Sequence, residues 1–127
     1  TALRSSMNIV DKTRQYARDH DKKLMVFLSF SEAEVLKACG GVPRFDQPFV
    51  DYLQENGVLF VDVLDSHVDE FVSFNLSPEQ YMRRYYIGHY NPKGNHFFAF
   101  AVKNAVVEWL DPKPPAYRDR ALTDYLD

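Results

Sequence analysis

Two apolar runs decide the fold: residues 24–30, LMVFLSF, and residues 58–64, VLFVDVL. Each has strand length and neither alternates, the pattern of a strand buried on both faces. Asp62 alone interrupts the second run. Between the runs the sequence turns helical. Ser31-Glu32-Ala33-Glu34 has capping-box spacing, in which the serine hydroxyl accepts from the Glu34 amide and the Glu34 carboxylate reaches back. Val35, Leu36 and Cys39 follow, and Gly40-Gly41 supplies a left-handed stop. Asp46, with Pro48 in the first turn, starts another helix on Phe49, Val50 and Leu53, which Gly57 ends. Two strands with helices between them make a parallel crossover the default.

Outside this unit the signals are helical. Leu3, Met7, Val10 and Ala17 recur with charges between them, predicting a helix over residues 3–18. A charged connector, residues 18–23, leads into the first strand. Asp65 is expected to cap a short helix through Val68, Phe71 and Val72. Ser77-Pro78-Glu79-Gln80 is a second capping box, opening a helix with Tyr81, Met82, Tyr85 and Tyr86. Asn91-Pro92 opens the last long helix, lined by Phe97, Phe98, Ala101, Ala105, Val106 and Trp109 and running to about Leu110. Prolines at 112, 114 and 115 end it, because proline has no donor N–H. Residues 111–127 read as a proline-rich tail with a short helix.

Composition bounds the class. Of 127 residues, 46% are hydrophobic and 26% charged, so the chain is globular and long enough to bury a core. A net charge of −3 excludes a general nucleic-acid binder, which carries a basic surplus. No apolar run approaches the roughly 18 residues of a membrane span, and the N-terminus lacks the basic-then-apolar signal pattern. A lone Cys39 makes neither an internal disulfide nor a cysteine metal site. Residues 1–127 read as one α/β domain or a fragment of one. Two strands are too few for an ordinary doubly wound sheet. The expected partner is therefore an N-terminal half or a second chain that completes the sheet. A start at Thr1 rather than methionine fits a processed chain or a piece of a longer one.

Chemistry concentrates in Gly88-His89-Tyr90-Asn91-Pro92-Lys93-Gly94-Asn95. A histidine stands in a tight loop before a helix N-cap, and histidine exchanges protons near neutral pH. A purely structural role, ending a helix or bonding the loop, is the competing reading. The stretch GHYNPKGNHFFAFAVKNAVVEWL resembles the C-terminal block of SGNH (GDSL-type) hydrolases. That family follows its catalytic histidine with an Asn/Pro turn, a glycine and an amphipathic helix. Here these are His89, Asn91, Pro92, Gly94 and Ala101. The preceding strand–helix–strand order is similar too, so the likeness covers most of residues 3–110.

The resemblance implies the C-terminal half of a three-layer α/β/α, flavodoxin-like fold. It implies hydrolysis of a small ester, such as an acyl ester on a carbohydrate or lipid-like substrate, without cofactor or metal. His89 would be the general base, with Tyr85, Tyr86, Tyr90 and Asn91 around the binding site. The chain departs from the family in three ways. It has no Gly-Asp-Ser nucleophile block, it lacks the oxyanion-hole blocks, and Tyr86 stands where the family places the ring-orienting aspartate. Histidine without a hydroxyl in reach performs no covalent hydrolysis. Ser29 and Ser31 lie at a strand-to-helix junction but lack the flanking glycines of a nucleophile elbow.

Two other readings compete. Tyr81, Tyr85, Tyr86 and Tyr90 with Arg83 and Arg84 would make the recognition surface of a non-catalytic interaction module. A stand-alone enzyme using His89 with Asp65 or Ser31 shows no complete constellation. His67 and His96 lack metal-ligand spacing and are expected to face solvent; Asp62 and Asp65 read as caps and solvated groups.

Overall fold

The structure, a computed structural model, describes residues 2–118. The elements run α1 (Ala2–Asp19), β1 (Val26–Leu28), α2 (Glu32–Cys39), α3 (Gln47–Glu55), β2 (Phe60–Asp62), α4 (Val63–Ser73), α5 (Pro78–Tyr85) and α6 (Pro92–Trp109), then a 3-10 turn, Pro115–Tyr117. The strands pair in parallel, Val26 with Phe60 through Leu28 with Asp62. The parallel pairing matches the sequence expectation. The fold class does not. With six α-helices and 64% helix, this is a mainly helical domain with a two-stranded sheet, not a three-layer flavodoxin-like fold. The short helix expected in the final dozen residues falls mostly on 119–127, which lie outside the described residues.

The strands are short for a local reason. Asp62 ends β2 and caps α4, its Oδ1 accepting from the Leu64 amide at 3.0 Å. Val63 and Leu64 are therefore helical and fully buried, where an unbroken strand was expected. The cap is Asp62 rather than Asp65. The Ser77 box forms as expected, with Ser77 Oγ accepting from the Gln80 amide and Gln80 Oε1 from the Ser77 amide. The Ser31 box does not, since Ser31 makes no side-chain cap bond and Glu34 pairs with Lys37 at 2.7 Å.

Two apolar clusters flank the sheet. Val10 of α1 and Val50 and Leu53 of α3 pack with Leu28 and Val58. Val35 of α2, Leu64 of α4 and Tyr81, Met82, Tyr85 and Tyr86 of α5 form the other, and Phe30 touches both. Arg44 links these parts. Its guanidinium makes a two-bond fork to Asp46 at 2.8 and 3.0 Å and a third bond to Asp62 at 2.5 Å. All three side chains are at most 14% exposed. Both carboxylates, and the Asp46 fork above all, hold the guanidinium pKa far above its ordinary value.

Helix α6 is the exception to this burial. Only Gly94 of its residues is buried, and Phe100 is 63% exposed. Among the described residues no helix is long and apolar enough to cross a membrane.

Candidate functional site

The 86–91 loop is a pinned hairpin. Tyr86 and Tyr90 form an antiparallel bridge, and the Ile87 amide donates to the His89 carbonyl at 2.8 Å. Gly88 turns the chain with φ +88°, a left-handed conformation that glycine adopts without Cβ strain. Asn91 fastens the far side. Its Oδ1 accepts from the Lys93 and Gly94 amides and its Nδ2 donates to the Arg84 carbonyl at 3.0 Å. Thus Asn91 caps α6 and ties it to α5. Gly94 lets the helix press on the loop, because a Cβ there would collide with the Tyr85 carbonyl and the Tyr90 ring.

His89 stands exposed at the tip. Its Nδ1 lies 2.9 Å from the Tyr90 carbonyl oxygen. A carbonyl only accepts, so Nδ1 carries a proton, and among the described residues Nε2 makes no hydrogen bond. Tyr86, three residues before His89, is buried, 4% exposed. Its hydroxyl reaches the Phe30 carbonyl, and the Gly88 amide reaches Glu32 Oε2 at 3.3 Å. Both contacts set the loop beside the chain leaving the carboxyl end of β1.

Beneath the loop lies a polar chain that sequence reasoning missed. His67 is wholly buried rather than facing solvent. Tyr81 donates its hydroxyl proton to Glu70 at 2.7 Å, so its oxygen accepts from His67 Nδ1–H at 3.0 Å. His67 Nε2 is then the acceptor for the Tyr90 hydroxyl at 2.8 Å. The order Tyr90 → His67 → Tyr81 → Glu70 satisfies every member and fixes one tautomer. Burial, with Glu70 adding to it at Tyr81, pushes the Tyr81 phenol far above its ordinary pKa, so it stays a donor. The Phe97 ring stacks on His67 at 4.1 Å. His67 is a positioning residue: it holds Tyr90, whose carbonyl orients His89. The only sequence hint was its place four residues before Phe71 on the apolar side of α4.

Burial lowers the His67 pKa from 6.5 to about 4. The folded state keeps the ring neutral while the unfolded chain takes up a proton below the ordinary value. Stability from this group is therefore full above pH 6.5 and is lost as pH falls toward 4, by about 3 kcal/mol in all. Ring NMR shifts should report a neutral His67 at about pH 5. A protonated ring there would contradict the assignment.

The other predicted residues fall as follows. Tyr85, like Tyr86, is in the core, 6% exposed, while Tyr90 is half-buried with its hydroxyl on His67. Ser29 and Ser31 are exposed, and among the described residues no hydrogen bond joins either hydroxyl to His89. Burial pushes the Cys39 thiol up to about 11, which makes it a poor nucleophile. Among the described residues no group of three His, Cys, Asp or Glu side chains is placed to hold a metal. A cleft of about 630 Å³ opens between α4, α5 and α6, lined in part by Arg84, Tyr85, Lys93, His96, Phe97 and Phe100. His89 does not line it.

No protein-family model matches the chain, and neither a curated protein nor a solved structure matches it.

Proposed function

We propose that this chain supplies the catalytic histidine of an SGNH-like serine ester hydrolase, with the nucleophilic serine carried by residues outside this sequence. One observation supports it above the others: His89 is exposed on a pinned loop, its Nδ1–H spent on the Tyr90 carbonyl and its Nε2 free. In the reaction Nε2 takes the serine hydroxyl proton as the oxygen attacks the ester carbonyl. The imidazolium then gives that proton to the departing alkoxide. The Tyr90 carbonyl faces the positive ring throughout. Among the described residues β1 and β2 pair only with each other, and a completing half would add its strands at their outer edges. By resemblance, the substrate is an acyl ester of a carbohydrate or a small lipid-like alcohol.

A fluorophosphonate that labels activated serines tests this on the full natural polypeptide, or complex, containing this sequence. Labelling of a serine outside these 127 residues is expected. A protein that hydrolyses no ester and takes no label would overturn the proposal.

A second reading, a non-catalytic binding module, is favoured by the cleft. Tyr85 and Tyr86 are sequestered in the core, so the recognition surface would pass to Arg84 and the half-exposed face of α6.

A further inference from the structure

Lys93, His96, Phe97, Phe100 and Ala101 all line the cleft between α4, α5 and α6. They stand at i, i+3, i+4, i+7 and i+8, which makes one continuous stripe along α6. The stripe is segregated. Lys93 and His96 lie toward the helix N-terminus and the apolar residues follow. Arg84 joins the cationic end, because the Asn91 side chain bonds the Arg84 carbonyl there. The guanidinium is held over the Phe74 ring at 4.8 Å. Among the described residues none of Arg84, Lys93 and His96 has a carboxylate within ion-pair distance. The one acid in the lining, Glu70, already accepts the Tyr81 hydroxyl. Phe100, at the apolar end, is 63% exposed.

We infer that this cleft binds an aliphatic carboxylate, head group at Arg84, Lys93 and His96 and alkyl chain along Phe97, Phe100 and Ala101. Charge complementarity selects the anion, since Arg84 and Lys93 bring two positive charges with no carboxylate in ion-pair distance among the described residues, against the single carboxylate of Glu70. Length selects the ligand: the whole stripe, head region included, spans about 12 Å of helix, the length of an extended medium-chain carboxylate. A cleft of about 630 Å³ is within the usual size for small-molecule sites. The inference deepens the binding-module reading by naming a ligand class, and it is independent of the role of His89.

The test is calorimetric titration of the full protein with decanoate, kept below its micelle concentration, and with decyltrimethylammonium as the cationic counterpart. Decanoate should bind saturably and the cation should not. Lys93→Glu should weaken decanoate about fivefold. Phe100→Asp should weaken it about tenfold or more. Both side chains are exposed, so the fold should survive, with circular dichroism as the check. Equal binding of both amphiphiles would overturn the carboxylate assignment while leaving a binding cleft. Absence of saturable binding by either would overturn both the assignment and the binding-module reading of this cleft. A dimer in sedimentation that decanoate does not dissociate, and that Phe100→Asp does, would assign the cleft to a second copy instead and overturn the ligand.

Discussion

Replacing Arg44 by alanine is expected to destabilise the fold by about 3–5 kcal/mol. The guanidinium bonds Asp46 twice and Asp62 once, and those carboxylates are 6% and 8% exposed. Without Arg44 two nearly buried negative charges would share one site with no cation closer than solvent. The damage would spread. Asp62 Oδ1 caps α4 through the Leu64 amide, while Asp46 opens α3. One arginine thus anchors the start of α3, the end of β2 and the start of α4. A surface ion pair would be worth no more than about 1 kcal/mol, so the two cases separate cleanly. Urea unfolding of the two proteins at neutral pH measures the difference. A loss near that lower figure would show the carboxylates reaching water and would refute the anchoring role. Arg44→Lys should recover only part of the stability, because an ammonium cannot make the two-bond fork to Asp46.

Much of this arrangement could be seen in the residues. Each apolar run contributes a short strand, the two pair in parallel, and helices separate them. The Ser77 and Asn91 caps lie where the spacing placed them. The strands' length could not be read, because Asp62 fits either a charged interruption in a strand or a helix cap. The carboxylate's choice of the Leu64 amide decided it. Nor could the fold class. The likeness to an α/β/α half rested on element order, and order does not show how few residues pair. The sequence contained a hint about burial that went unused. A single acid within an apolar run needs a cation, and Arg44 stands two residues before Asp46.

The candidate site was legible in one respect. Histidine before an Asn-Pro cap marks a loop fixed against a helix, and His89 occupies such a loop. The orientation of its ring could not be foreseen. The sequence lacks the aspartate that would signal it, and a backbone carbonyl leaves no trace in residue identity. The tyrosines misled for a related reason. Tyr81 and Tyr86 are amphipathic enough for either a surface or a core, and the buried partners that satisfy their hydroxyls come from α4 and from the chain after β1.

The central claim is that His89 carries the proton in ester hydrolysis. The most direct test is the steady-state rate of p-nitrophenyl acetate hydrolysis by the full natural protein or complex, compared with its His89→Ala form. Because the His89 side chain is exposed and its hydrogen bond is to the neighbouring Tyr90 carbonyl, the substitution should leave the fold intact, with circular dichroism as the check, so a loss of rate reports chemistry. General-base removal should lower kcat by about 10²–10⁴-fold with KM little changed. An unchanged kcat in the folded variant would contradict the account.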